Sequence, residues 1–133
     1  MNKIKAISTP QATAPAASYS QGMAVGELVF TAGQIGATAE GTLGDDLVTQ
    51  TNLSIDNLER VLQAADSSIE AVVKTTCYLA RVEDFPEFDR AYRARFPDPL
   101  PGRSTVVVGF GNPDILVEIE AIAVTSTSSE SEQ

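Results

Sequence analysis

Arg103 and Glu118 are the residues whose types and surroundings could do chemistry. Both carry charge into otherwise apolar sequence: Arg103 precedes Ser104-Thr105-Val106-Val107-Val108, and Glu118 sits within Leu116-Val117-Glu118-Ile119-Glu120-Ala121-Ile122. A guanidinium is a planar fork that matches a carboxylate through two parallel hydrogen bonds, so Arg103 could hold a substrate carboxylate. It could equally form a structural ion pair with Glu118, which on a covered face needs a hydrogen bond, a cation or water. Composition leaves both readings open. Other chemistry is excluded outright. With no histidine and one cysteine, Cys77, the chain cannot form a Ser-His-Asp or Cys-His catalytic set, a Cys/His zinc site or an internal disulfide. A net charge of −9 argues against a phosphate-backbone partner, which is held mainly by Lys and Arg.

The elements that must position these residues follow from periodicity and punctuation. The 133 residues suit one domain, expected over 1–124. Residues 125–133 contain only Thr, Ser, Glu and Gln and are expected to be a disordered tail outside the fold. The N-terminus has no apolar stretch fit for a signal peptide, and no run approaches the ~20 apolar residues of a membrane helix. A soluble cytoplasmic protein is expected. Strands are predicted over 4–7, 19–25 and 28–31, the last two joined at Gly26-Glu27, and 36–46 reads as a loop. Leu47, Thr51, Ile55, Leu58, Leu62 and Ala65 recur at helical intervals, with Asp45 or Asp46 as cap. Ser67-Ser68-Ile69-Glu70 has capping-box spacing. A strand follows over 73–79. Asp84-Phe85-Pro86 opens a second helix whose stripe of Phe85, Phe88, Tyr92 and Phe96 is expected to be core, and prolines at 97, 99 and 101 stop it. Strands over 104–108 and 115–124 complete an α+β fold, a mixed sheet with two helices on one face.

The last strand then exposes a problem. Val117, Ile119, Ala121 and Ala123 suit the helix face, yet Leu116, Ile122 and Val124 make the opposite face largely apolar too. Two helices cover only one side of a sheet, so a second copy of the chain is the expected cover for the other. Several further features have plain structural readings. Cys77 reads as a small buried hydrophobe without a basic neighbour. Asp45-Asp46 and Glu83-Asp84 read as helix caps, and Gly109-Phe110-Gly111 as a turn.

The ordered set Tyr19-Ser20-Gln21-Gly22, Thr31-Ala32-Gly33-Gln34-Ile35, Lys74-Thr75-Thr76, Asp84-Phe85, Pro101-Gly102-Arg103-Ser104 and residues 117–123 resembles the RidA (YjgF) family of enamine/imine deaminases. The likeness spans nearly the whole chain; each motif is weak alone and the series is specific. It implies a homotrimer of chorismate-mutase-like α+β fold, with sites between subunits and no cofactor or metal. The implied reaction hydrolyses 2-aminoacrylate and related 2-imino acids, released by pyridoxal-phosphate enzymes, to 2-keto acids and ammonia. Arg103 falls on the family's carboxylate-binding arginine and Glu118 on the glutamate that handles water. Thr105 falls on a substrate-holding backbone amide, Gly33 on a carbonyl near the substrate nitrogen, and Tyr19 on a tyrosine of the cleft. An imine carbon is already electrophilic, so fixing the carboxylate and orienting water suffice. Departures touch the substrate: Ala17-Ser18 replaces Gly-Pro, Ala32 a common serine, Gly102 a common alanine, and Asp89 a site-associated asparagine. Asp89 is expected to face solvent from its helix, the common fate of a helical aspartate; turned toward the site instead, it would repel carboxylates or favour a differently charged substrate. Two other readings stand beside the first: a deaminase of a specialised unsaturated amino acid, from aromatic-ring breakdown or biosynthesis, and a regulatory module that binds keto acids without turnover. RNA cleavage, also linked to the family, sits poorly with the −9 charge.

Overall fold

The computed structural model describes residues 3–126. Its strands are β1 (Ile4–Ile7), β2 (Gly22–Val25), β3 (Leu28–Thr31), β4 (Gln34–Ile35), β5 (Val72–Leu79), β6 (Gly102–Val107) and β7 (Val117–Val124), with helices α1 (Leu47–Ala64) and α2 (Phe85–Arg93). They form one mixed sheet in the order β1-β2-β3-β7-β5-β6, with β4 also paired to β7. All pairings are antiparallel except β5 with β6. The expected α+β arrangement, a mixed sheet with two helices, is the one observed.

Local chemistry accounts for the elements. Gly26 turns the β2–β3 hairpin at φ +58°, a left-handed conformation that favours glycine. Asp46 caps α1 by accepting from the Thr49 amide at 2.8 Å, which also lowers its own pKa. The helix buries Ile55, Leu58, Val61 and Leu62 against Val117, Ile119, Ala121 and Ala123 of β7. Along β7 these buried residues alternate with half-buried ones, so the even-numbered side chains point to the face away from the helices.

Several expectations need correcting. β2 begins at Gly22 rather than at residue 19, β6 runs from 102 rather than 104, and β7 begins at 117 rather than 115. β4, for which no strand was expected, lies just before the 36–46 loop and forms because Gln34 and Ile35 pair with Ile119 and Glu118. The Ser67–Glu70 capping box does not form. Ser67 instead donates its hydroxyl to the Val124 carbonyl at 2.6 Å, and the 3-10 turn Ile69–Ala71 has no side-chain cap. Glu83 and Asp84 do not cap α2 through their side chains. They lie in a 3-10 turn and face Arg81 at 4.0 Å. Phe88, Tyr92 and Phe96 are core, but Phe85 is 40% exposed. Thr125 and Ser126, assigned above to the tail, donate their amides to Glu27 and Asp66 carbonyls; the remainder of the expected tail lies outside the described residues. No helix among the described residues is long and apolar enough to cross a membrane.

Candidate functional site

Arg103 is the second residue of β6, in register with Thr75 of β5. Directly paired residues share a face, and Thr75 is fully buried under the helices. Arg103 therefore faces α2. Its guanidinium carbon lies 4.7 Å from the Tyr92 ring centroid, 5.5 Å from Phe85 and 5.7 Å from Phe88. Such cation–π contacts hold the fork in one orientation. The Tyr92 hydroxyl shares a 2.7 Å hydrogen bond with Thr75 Oγ1, which fixes the ring in turn, while burial raises the Tyr92 pKa. Phe85, exposed though it is, belongs to this cradle.

The ion-pair partner of Arg103 is Asp89, not Glu118. Arg103 Nη1 lies 2.9 Å from Asp89 Oδ1, with the two side chains 21% and 49% exposed. Asp89 therefore does not simply face solvent: one helical turn separates it from Phe85 and from Tyr92, which puts all three on the α2 face that meets β6. The expected Arg103–Glu118 pair fails for a topological reason. β5 lies between β6 and β7, and Glu118 pairs in register with Tyr78 on the face away from the helices. The two candidate residues lie on opposite faces of one sheet, so within a single chain they do not meet.

Glu118 has its own surroundings. It lines a cleft of about 310 Å³ together with Tyr19, Ala32, Gly33, Gln34 and Ile35. Burial, and then the neighbouring Glu120 carboxylate, raise its pKa. Glu120 accepts a 2.9 Å hydrogen bond from the Tyr78 hydroxyl. Gly33 packs directly on Glu118: a Cβ there would overlap the carboxylate oxygen and lie 2.8 Å from its carboxyl carbon. Tyr19, Gly33 and Glu118 are thus brought together. Arg103 borders a second cleft of about 330 Å³ with Asp89, Tyr92, Arg93, Leu100 and Pro101. Thr105, two residues on, shares the Arg103 face of β6, and its hydroxyl is buried without a hydrogen-bond partner among the described residues. Cys77, in register with Thr105, is buried as expected, with its pKa pushed up to about 11 chiefly by desolvation. A basic neighbour does exist, since the Arg103 charge acts against that rise, but burial outweighs it.

The residues that place the Glu118 cleft went unrecognised in the sequence. Ser54 of α1 donates to the Gln34 carbonyl at 2.7 Å, and Asn57 donates to the Ile35 and Ala37 carbonyls at 3.2 and 2.8 Å. Gln50 donates to the Gly44 and Asp114 carbonyls and accepts from the Leu116 amide. All three are buried. Their spacing of four and three repeats the helical period of the apolar stripe, a polar row alongside it that was available to find. Gln21 does the same for the segment leading to Tyr19, bonding Thr9 and Thr13.

Known proteins share this sequence and fold over most of the chain. The chain is 37% identical over 122 residues to a Lactococcus lactis protein that bears the name regulator AldR, covering 90% of this chain and 97% of that one. It is 35% identical over 124 residues to the 2-iminobutanoate/2-iminopropanoate deaminase of Salmonella typhimurium, with the same coverage. The crystal structure of the YjgF gene product of E. coli superposes with a TM-score of 0.85 at 35% identity, covering 90% of this chain and 98% of that one. The family model described as Endoribonuclease L-PSP matches residues 9–125, and the chain belongs to this YjgF/RidA family.

Proposed function

We propose that the protein is a cofactor-independent deaminase that hydrolyses reactive 2-imino and enamine acids to 2-keto acids and ammonia. The observation that carries this reading is Glu118: a half-buried carboxylate of raised proton affinity, seated against Gly33 in an open cleft. The name of the Salmonella relative supports the substrate class. In the proposed reaction Arg103 holds the substrate carboxylate, with Thr105 beside it, and Tyr19 and Gly33 line the imine end. Water adds to C2 as Glu118 takes its proton. Glu118 passes that proton to the imine nitrogen to give a carbinolamine; it then carries the carbinol O–H proton to the amino nitrogen, the C–N bond breaks, ammonia leaves and the C2 carbonyl forms. The imines would come from pyridoxal-phosphate enzymes. The word endoribonuclease describes the family model, but a chain of net charge −9 has little with which to hold a phosphate backbone. The likeness to a protein named as a regulator favours a keto-acid-binding module as the second reading.

The assembly belongs to the same proposal. Because Arg103 and Glu118 lie on opposite faces of one sheet, a complete site needs residues of two chains, and we assign a homotrimer of chorismate-mutase-like subunits. Its support is the uncovered apolar surface: edge strand β6 leaves Val106 44% and Val107 52% exposed, and Leu28 and Phe30 are exposed beside Val124 and Ile122. Sedimentation at micromolar concentration should give three chains; a stable monomer would refute both the assembly and the shared site.

Gly33→Ala tests the Glu118 cleft without altering any charge. The overlapping atoms are the far end of a flexible side chain, so the variant should fold normally with the carboxylate swung aside. A displacement of about 1 Å can cost as much as about a hundredfold in rate. Imine hydrolysis, coupled to an amino-acid oxidase and followed as loss of the imine, should fall about ten- to a hundredfold at an unchanged melting temperature. Undiminished turnover would remove Glu118 from the reaction.

A further inference from the structure

We propose that Asp89 is a specificity-determining residue of the carboxylate site, selecting 2-imino and 2-keto acids with a cationic side chain over plain monocarboxylates and dicarboxylates. This rests on the reading of Arg103 as the residue that holds the substrate carboxylate. The observation behind it is that Asp89 already occupies Nη1 of that guanidinium, at 2.9 Å. An incoming carboxylate must share Arg103 with a carboxylate already in place, and the two repel each other. The remaining surroundings do not relieve this. Arg93, the other cation lining the cleft, lies 3.2 Å from Asp98. Both cations that one chain brings to the cleft, among the described residues, are thus matched by carboxylates.

A ligand with both signs meets this arrangement well. Its carboxylate takes the remaining donors of the Arg103 fork, while a guanidinium or ammonium on its side chain takes Asp89, whose side chain is 49% exposed and open to a second partner. A monocarboxylate such as pyruvate meets Arg103 and the Asp89 repulsion alone. A dicarboxylate meets that repulsion twice. Discrimination here depends on an unfavourable contact as much as on a favourable one.

Calorimetric titration of the full chain with pyruvate, 2-oxoglutarate and 5-guanidino-2-oxopentanoate tests this in the parent, Asp89→Asn, Asp89→Glu and Arg103→Ala. Asparagine keeps the shape at a half-exposed position, and melting curves and sedimentation verify the fold. In the parent the guanidino acid should bind tightest and 2-oxoglutarate weakest. Removing one charge near the ligand should strengthen pyruvate binding about tenfold and 2-oxoglutarate binding more, without strengthening the guanidino acid. Asp89→Glu should keep the parent order. A merely structural Asp89 would shift all three ligands together, and that parallel result would overturn the proposal. If Arg103→Ala loses pyruvate while Asp89→Asn leaves the ligand order unchanged, the Asp89 assignment alone fails. If Arg103→Ala binds pyruvate like the parent, or if no variant binds any of the three, the carboxylate site itself falls and takes this inference with it.

Discussion

Arg103→Ala is expected to abolish most keto-acid binding and imine hydrolysis while the protein stays folded. A charge-assisted hydrogen bond is worth roughly 1.5–3 kcal/mol, or about ten- to more than a hundredfold in affinity. Arg103→Lys should be nearly as damaging. An ammonium keeps the charge, but it loses both the fork and the flat face that lies 4.7 Å from the centroid of the Tyr92 ring. Stability separates function from support. The partner left behind is Asp89, 49% exposed, which water can solvate, so the loss should be confined to the cation–π contacts, about 0.5–2 kcal/mol. Melting curves and pyruvate titration on the same variant check this. A well-folded Arg103→Ala protein that binds pyruvate like the parent would remove the central functional claim.

Glu118→Gln should lower turnover by about a hundred- to ten-thousandfold, the usual contribution of a positioned acid–base group, while ligand binding largely survives. Its effect on stability should run the opposite way from that of a buried ion-pair residue. Burial and Glu120 raise the Glu118 pKa in the folded protein. The native state therefore holds this proton more tightly than the unfolded chain, and the contribution of Glu118 to stability falls as pH rises through and above the ordinary glutamate range. Glutamine has no such penalty. The variant should melt at or above the parent at neutral pH, with the advantage shrinking as the pH is lowered toward that range. A variant that loses melting temperature at neutral pH and keeps full turnover would make Glu118 structural.

The contrast between what the sequence shows and what it hides runs along one line. α1 was legible because a single stretch carries its whole signal: Leu47 to Ala65 repeat at the helical period and Asp46 caps the start. The doubly apolar character of β7 was legible from alternation alone. The Arg103 partner was not, because it depends on β5 lying between β6 and β7, and no local pattern encodes strand order. The same holds for β4, two residues that are a strand only because β7 runs beside them. The contact of Asp89 with Arg103 was hidden for the same reason, since its own neighbours in sequence say nothing of a residue fourteen positions away. Tyr19, Gly33 and Glu118, which the family resemblance names, line one cleft. Packing then supplied the physical reason: a side chain at position 33 would displace the Glu118 carboxylate from its place in the cleft.

The central place of β7 also dictates the order in which the molecule can be built. Its neighbours are β3, β4 and β5, and the pairing of Leu28 with Val124 joins positions far apart in the chain. During synthesis the β1–β2–β3 hairpins, α1 and the parallel β5–β6 pair all emerge before the strand that joins them into one sheet. Until residues 117–124 leave the ribosome, Ile55, Leu58 and Val61 lack the β7 side chains they pack against, and β3 and β5 each present an open edge. Closing such long loops last is slow, and an uncovered edge beside an uncovered apolar face invites wrong partners. Chaperone demand should therefore concentrate on the interval before β7 inserts.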